Sequence, residues 1–188
     1  MNQQSMYSAV MGDAFNRLAD PIRQFHTFAG RHEFQGEVEV AAPATFIAKL
    51  LAVLLGAPLK ATQGPVRFEL LAKPDTETWT RFFPGKTMRS TLTKSGNRIT
   101  ERLGPSLLTF ALFEVMGTLE MRLEKMYFLG LQCPAWLMPQ VTARETDEGQ
   151  MLHFQIQVTV PFVGRVASYT GYLIIRASTF HGGARESG

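Results

Sequence analysis

The first informative property of the sequence is what it lacks: paired cysteines, a long hydrophobic run and a secretion signal. Its 188 residues contain one cysteine, Cys133, so no disulfide can form within the chain. No apolar run reaches the roughly 18 residues that a membrane-spanning helix needs, and the longest candidate, FIAKLLAVLLGAPL, is interrupted by Lys49. The start of the chain, MNQQSMYSAVMGDAF, has no basic region followed by a long apolar segment. We therefore predict no signal peptide and a cytoplasmic location.

Motifs that identify the common enzyme classes are also missing. The sequence contains no GxGxxG, P-loop, HExxH, GxSxG or paired CxxC pattern. His26 and His32 lie six residues apart across a predicted helix end, which is poor spacing for two ligands of one metal ion. We predict neither a metal site nor a bound cofactor.

The composition indicates a folded domain with an uneven charge distribution. Hydrophobic residues make up 45% of the chain, which supports a sizeable core, and the length fits a single domain over residues 1–188. The net charge is +3, yet residues 81–102 contain six lysine or arginine residues and one glutamate. This stretch therefore carries the positive potential of the chain, and such a field attracts anions.

Helical spacing is confined to the first part of the chain. Residues 5–18 are predicted to form a helix capped by Ser5, and a second short helix is predicted to start at Asp20, so that residues 1–29 are a helical N-terminal segment. A further helix is predicted over residues 43–55. This helix is apolar nearly all round, so we expect it to be largely buried or to lie against a cavity, as the filler of a curved sheet.

The remaining sequence has the pattern of antiparallel strands. Residues 31–41 alternate between apolar and charged side chains, and from residue 64 onwards short extended runs alternate with turn signals such as KPDT, FPGK and KSGN. We predict an α+β fold, mainly antiparallel β, with about eight to nine strands over residues 30–180. A sheet of this width with one apolar face cannot stay flat, so it must form a strongly curved, barrel-like meander.

The basic stretch supplies the main candidate binding residues. Trp79 and Arg81 share one face of a predicted strand, Arg102 lies on another strand, and Arg89 lies between them. Pairing of antiparallel neighbours would line these cations up across the sheet. The stretch is then either a solvated face or a site for phosphate, carboxylate or an acidic partner. We do not expect nucleic acid as a partner, because no recognisable nucleic-acid-binding motif accompanies the cations.

A second candidate cluster is the segment GRHEF, which brings Arg31, His32 and Glu33 together just before a strand. Histidine and glutamate are suited to acid–base chemistry. Neighbouring side chains in a strand point to opposite faces, however, so His32 and Glu33 should diverge. Arg31 and Glu33 share a face, which leaves structural pairing as the other interpretation.

The long apolar connection over residues 127–139, which includes GLQCPAWLMP, allows two interpretations. It is either a loop folded over one end of the core, or a hydrophobic lid that contacts a partner or the surface of a membrane. The sequence does not decide between them.

The segment PFVGRVASYTGYL near the C-terminus is predicted to be the closing hairpin of the curved sheet. Pro161 ends one strand and Gly164 supplies the reversal. Gly171 is predicted to mark a bend or a close approach that lets the sheet curl. Arg165 and Tyr169 are the residues of this hairpin that we expect to contact a ligand, if it has a binding role.

The order of several segments resembles the bacterial domain-of-unknown-function family numbered 4166. The segments are RHEFQGEVEV, LLAVLLGAP, PVRFELLA, WTRFFPGKTMRSTL, ERLGPSLLTFAL and VPFVGRVASYTGYL, and the resemblance runs from about residue 15 to residue 176. It implies a bacterial origin and a small domain that stands alone or follows a saccharopine-dehydrogenase-like, NAD(P)-binding reductase domain. This chain has no dinucleotide-binding fingerprint, so it resembles the standalone form, and the resemblance implies no catalytic residues. The chain departs from the family at LQCPAWLMPQ, where a more regular proline and leucine pattern is expected.

These observations leave three hypotheses of function. The first is a binding domain whose curved sheet holds a hydrophobic, lipid-like or anionic small molecule, with the basic strands at its head group. The second is an enzyme in which Arg31, His32 and Glu33 converge with Arg81 on one pocket. The third, which rests on the fused relatives alone, is an accessory domain for an NAD(P)-dependent oxidoreductase partner. The residues expected to contact a ligand are Arg31, His32, Glu33, Trp79, Arg81, Arg89, Arg102, Arg165 and Tyr169.

Overall fold

A computed structural model describes residues 4–149 and 151–175, and the described residues form eleven antiparallel strands. The strands are β1 Gly30–Ala41, β2 Thr62–Lys73, β3 Thr76–Phe83, β4 Lys86–Ser95, β5 Arg98–Leu103, β6 Ser106–Val115, β7 Thr118–Phe128, β8 Leu131–Gln132, β9 Gln140–Glu148, β10 Met151–Val160 and β11 Gly164–Ile174. The part of the predicted sheet that extends from residue 176 to residue 180 lies outside the described residues.

The strands close into a barrel, which confirms the predicted fold class. Each strand pairs with the next one along the chain, with one exception: β8 does not pair with β9, which pairs with β7 instead. The last strand, β11, returns to pair with β1. Ten strands therefore form a closed ring, while the two-residue strand β8 pairs with the end of β7 outside it. The predicted number of about eight to nine strands is too low, because β1 joins the same sheet from before the helix and β8 is too short to leave a periodic signal.

Successive hairpins place the connections alternately at two ends of the barrel. One end, here called the mouth, holds the connections 42–61, 84–85, 104–105, 129–139 and 161–163. The opposite end holds the short turns 74–75, 96–97 and 116–117 together with the N-terminal segment. Different helical segments cover the two ends, and the candidate site lies between these segments.

The N-terminal segment closes the end opposite the mouth and is here called the plug. Ser5 caps helix α1, Met6–Met11, as predicted, because its Oγ accepts a hydrogen bond from the Ser8 amide at 3.2 Å. The predicted single helix over 5–18 breaks at Gly12, where φ is 56°, into a 3₁₀ helix, Gly12–Arg17. Helix α2, Asp20–Phe25, follows. The buried side chains of the plug are Met6, Tyr7, Phe15, Leu18, Pro21, Ile22, Phe25 and His26.

Helix α3, Phe46–Leu55, crosses the mouth and does not fill the barrel, so the expectation of a buried filler helix is wrong. At its start, Thr45 Oγ1 donates to the Val163 carbonyl at 2.8 Å. At its end, the Leu54 backbone lies directly against Gly104 of the opposite turn. Leu51 and Leu55 face the interior, so the helix does lie against a cavity, as the sequence predicts. The plug packs into the barrel from the opposite end, and α3 stays outside the barrel at the mouth.

The first and last strands approach each other closely at two inward-facing glycines. Gly36 of β1 pairs with Leu173, and Gly171 of β11 pairs with Val38. A Cβ atom on Gly171 would overlap the carbonyl oxygen of Glu37 and lie 2.9 Å from Cζ of Phe154. The predicted close approach at Gly171 is therefore present. No helix in the described parts of the chain has the length and apolar character needed to cross a membrane.

Candidate functional site

The interior of the barrel contains a cavity of about 240 Å³ between the plug and α3. The cavity is apolar because each strand alternates, and one face of every strand points inward. On β10, for example, Leu152, Phe154, Ile156, Val158 and Val160 line the cavity, as the alternation in the sequence predicts. Phe25 of the plug closes the cavity at one end, and Leu51 and Leu137 border it at the mouth. The site is therefore a mainly apolar chamber under a helix.

Arg81 is a buried charged residue that lines this chamber. It lies on β3 between Trp79 and Phe83, and its guanidinium Cζ is 5.1 Å from the Trp79 ring centroid. Arg81 Nη1 donates to Ser90 Oγ at 3.1 Å, and Nη2 lies 3.8 Å from Glu101 Oε1. Arg81 and Glu101 both line the cavity, so a bound molecule would meet a donor and an acceptor side by side.

Buried polar contacts join the plug to the barrel wall, and one of their members, Glu145, also lines the chamber. His26 Nε2 of the plug lies 2.8 Å from Glu145 Oε2 on β9, and the Tyr7 ring stacks on the His26 ring with centroids 3.6 Å apart. On β3, the Trp79 indole N–H donates to Glu77 Oε2 at 2.8 Å. The Tyr7 hydroxyl is buried and has no hydrogen-bond partner among the described residues. These contacts fix the position of the plug, because buried polar groups that lose their partners are costly.

Burial changes the acidity of three groups in this region. Burial raises the pKa of Glu77, while His26 and the hydrogen bond from Trp79 act in the opposite direction. Burial, and then the nearby carboxylates of Glu77 and Glu145, raise the pKa of Tyr7 well above its ordinary value. Burial also raises the pKa of Tyr169, which lines the cavity. Both tyrosines are therefore neutral hydroxyls at physiological pH.

The raised pKa of Glu77 predicts a pH-dependent stability. The folded protein holds the Glu77 proton more tightly than the unfolded chain does, so this group favours folding at low pH and disfavours it as the pH rises through the folded-state pKa. Glu77→Gln keeps an acceptor for the Trp79 N–H but removes the buried charge. We expect a higher free energy of unfolding than wild type at neutral pH, and a difference that shrinks below the ordinary carboxyl pKa.

Urea unfolding across a pH series measures this difference. Glu37→Gln is the matched control, since Glu37 is exposed on the outer face of β1, and this variant should follow wild type at every pH. A Glu77→Gln protein that is less stable than wild type at neutral pH would contradict the prediction, because the ionised carboxylate would then be required.

The structure separates the residues of the GRHEF cluster from Arg81. Arg31 is exposed on the outer face, and its Nη2 lies 3.4 Å from Glu69. Glu33 pairs with Arg67 at 3.1 Å, also outside the barrel. His32 Nε2 lies 2.8 Å from the Ala29 carbonyl oxygen. Because Arg31 and Glu33 point outward and Arg81 points inward, the four residues do not converge on one pocket.

The predicted line of cations across the sheet is not formed either. Arg81 pairs in register with Met88 and shares its inward face, whereas Arg89, one residue further along, is exposed outside. Arg102 pairs with Thr91 and is also exposed outside. Arg31 and Arg89 border a separate pocket on the outer surface, together with Glu69. The period of two in a strand is the physical reason, since one step along the chain changes the face.

Of the two candidate residues in the C-terminal hairpin, one lines the cavity. Tyr169 is buried, and its ring lies 5.1 Å from the Phe83 ring. Arg165 instead donates from Nε and Nη2 to the Ala42 carbonyl at 3.2 and 3.0 Å, which fastens the start of the α3 connection to β11. Trp79, Arg81 and Tyr169 are thus the predicted residues that meet inside the barrel.

Sequence reasoning missed Glu77, Glu101 and the pair His26–Glu145. The alternation that places Trp79 and Arg81 on one face also places Glu77 there, two residues earlier, so this carboxylate was detectable. His26 follows Ile22 by one helical turn and continues the apolar side of α2. Its partner Glu145 is 119 residues away, and no local pattern connects the two.

The fold and the site define a class of protein: a closed up-and-down antiparallel barrel with a mainly apolar internal chamber, a helical plug and a helix across the mouth. The chain belongs to the family described as Domain of unknown function (DUF4166), whose model matches residues 18–173, and this confirms the resemblance seen in the sequence. No curated protein matches the chain.

Among solved structures, one similar chain is titled "Crystal Structure of Rv2717c from M. tuberculosis". It is 9% identical, covers 84% of this chain and 98% of its own length, and gives a TM-score of 0.43. Neither the family nor this structure assigns a ligand or a reaction to the chain. The expected oxidoreductase partner stays a prediction.

Proposed function

We propose that the protein binds an elongated apolar small molecule, such as a lipid chain, inside the barrel. The observation that carries the proposal is the chamber itself, about 240 Å³ of space walled mainly by apolar side chains. Protein interiors are normally close-packed, because atoms that face a void lose their dispersion contacts. A single water needs only about 10–15 Å³, and apolar walls give it no hydrogen bonds. A lipid-like molecule satisfies both the size and the chemistry of the chamber.

The polar end of such a molecule would lie at Arg81 and Glu101. Arg81 and Glu101 both line the chamber, and Glu101 Oε1 lies 3.8 Å from Nη2 of the guanidinium, so a donor and an acceptor stand next to each other there. A hydroxyl or a protonated carboxyl group can accept from Arg81 and donate to Glu101 at the same time. An ionised head group would instead meet the Glu101 carboxylate, which already compensates the Arg81 charge. The proposal is therefore a neutral amphiphile with a hydroxyl-type head.

Fluorescence of Trp79 tests the proposal, because its ring borders the cavity beside Arg81. Trp136→Phe removes the other tryptophan of the chain and leaves Trp79 as the single reporter. This variant would be titrated with dodecanol and with dodecanoate, two probes of equal chain length. We expect saturable changes in Trp79 fluorescence, with dodecanol bound at least as tightly as dodecanoate at neutral pH.

Filling the chamber supplies the second arm of the test. Ala143 on β9 lines the cavity, so Ala143→Phe should occupy space that about three or four methylenes of a ligand would use. Burial of that many methylenes contributes about 2.8 kcal/mol to binding, so its loss corresponds to a dodecanol affinity about a hundredfold weaker. Thr142→Phe adds the same ring at the neighbouring exposed position and should leave the affinity unchanged.

Three results would overturn parts of the proposal. If neither probe causes a saturable change in Trp79 fluorescence, the chamber is not a site for aliphatic chains. If dodecanoate binds far more tightly than dodecanol, the neutral head group is wrong and Arg81 acts as an anion site. Equal binding by the Ala143→Phe and Thr142→Phe proteins would place the probe outside the barrel.

A further inference from the structure

The mouth of the barrel exposes large apolar side chains from three separate connections. Phe46 on α3 is 74% exposed, Leu131 in the 129–139 connection is 76% exposed, and Phe162 at the tip of the β10–β11 turn is 92% exposed. The exposed apolar side chains at this end are Phe46, Ile47, Leu50, Val53, Leu54, Leu59, Leu129, Leu131, Trp136 and Phe162. Soluble domains seldom gather so many at one end unless the surface contacts something else.

The orientation of helix α3 leaves most of its large apolar side chains exposed. Its fully buried residues are the small Ala48 and Ala52, and its large side chains other than Leu51 and Leu55 point away from the barrel. A helix that served only to cover the core would turn its large apolar side chains inward. The outer face of α3 therefore has the character of a contact surface.

The charges at the mouth have one sign. Lys49 and Lys60 lie in the 42–61 connection, and Lys86 borders the 84–85 turn. The five connections at the mouth, all within the described residues, contain no aspartate or glutamate. Apolar side chains, an exposed tryptophan and surrounding lysines are the combination that favours the interface of an anionic bilayer.

We propose that the mouth docks onto an anionic lipid surface, with α3, Trp136 and Phe162 inserted among the head groups. A second copy of the chain fits less well, because a symmetric contact through the mouth would bring Lys49 and Lys60 against the same charges without a carboxylate between them. Docking in this orientation places the end of the chamber that Leu51 and Leu137 border next to the lipid. Uptake of a lipid from the bilayer is the consequence, and that consequence alone rests on the proposed function.

Co-flotation with vesicles tests the docking. Full-length protein would be mixed with vesicles of phosphatidylcholine, alone or with phosphatidylglycerol, and we expect flotation mainly with the second composition. Phe46→Asp combined with Phe162→Asp should weaken this binding about tenfold or more, because two apolar groups leave the interface and two negative charges enter it. Met116→Asp is the matched control, since Met116 is 96% exposed at the opposite end of the barrel, and it should float like wild type.

Reversing the charge of two lysines separates the electrostatic contribution to vesicle binding from the apolar contribution. Lys49→Glu combined with Lys60→Glu should reduce binding to phosphatidylglycerol vesicles at least about tenfold and leave the weak binding to phosphatidylcholine unchanged. Folding of every variant would be verified by far-UV circular dichroism and urea unfolding without vesicles, where none of them should differ markedly from wild type.

The possible outcomes distinguish docking from ligand binding. Wild-type protein that binds dodecanol but does not float would overturn the docking proposal and leave the proposed function standing. Protein that floats but does not bind dodecanol supports docking and overturns the proposed function. A dimer in light scattering that the Phe46→Asp and Phe162→Asp changes dissociate, together with no flotation, would assign the mouth to a second copy and overturn the lipid surface.

Discussion

Gly171→Ala is expected to prevent the barrel from closing. The added methyl group would overlap the Glu37 carbonyl oxygen of the paired strand and press on Phe154 inside the barrel. The Glu37 carbonyl belongs to the backbone pairing of β1 and β11, so no change of side-chain rotamer removes this overlap. The strands would have to separate where the first and last strands of the ring meet. We expect the free energy of unfolding to fall by more than about 4 kcal/mol, which is comparable to the whole stability of a marginal domain.

Urea unfolding and the yield of soluble protein measure the effect of Gly171→Ala. Thr170→Ala is the matched control, because Thr170 is the adjacent residue of β11 and its side chain is exposed. This change should cost less than about 1 kcal/mol, the range of strand propensities. If the two variants unfold at the same urea concentration, the close approach of β1 and β11 is not required for closure.

Phe25→Ala is expected to loosen the plug and cause the second large loss of stability. Phe25 is 2% exposed, and its ring lies 5.2 to 6.0 Å from the rings of Phe34, Phe68 and Trp79. Removing a buried phenylalanine ring costs about 3–5 kcal/mol, since the apolar contacts are lost and the space refills only partly. The altered surroundings of Trp79 should also change its fluorescence in the folded protein.

The same substitution at an exposed phenylalanine provides the control. Phe46 on α3 is exposed at the mouth, so Phe46→Ala should change the free energy of unfolding by less than about 0.5 kcal/mol. The comparison also tests which helical element belongs to the core. Equal losses for Phe25→Ala and Phe46→Ala would mean that α3 stabilises the barrel as much as the plug does.

The strands were predictable because their signals are local. Residues such as Leu152, Phe154 and Ile156 alternate with polar neighbours, and turn residues separate one run from the next. The close approach at Gly171 was also predictable, because a glycine inside a strand has few other roles. The barrel follows from these signals, since a wide antiparallel sheet with one apolar face must curl.

The roles of the helices were not predictable from their composition. Helix α3 is the most apolar segment, and composition alone favours burial, yet it lies across the mouth with Phe46 exposed. The less apolar plug enters the barrel instead, because it reaches the end opposite the mouth, where Ala19 N–H donates to the Gly117 carbonyl at 2.9 Å. Which helix fills a barrel depends on the end at which its connection starts, and spacing along the chain does not give that.

The candidate site was likewise predictable from the sequence only in part. The alternation of Glu77, Trp79 and Arg81 follows from the period of two in a strand, so the sequence was sufficient to group them on one face of β3. Three-dimensional closure then decided that this face is the inside, that Arg89 and Arg102 are outside, and that His26 meets Glu145 across 119 residues. Local periodicity reports which side chains share a face, whereas only the closed ring brings faces from distant strands around one chamber.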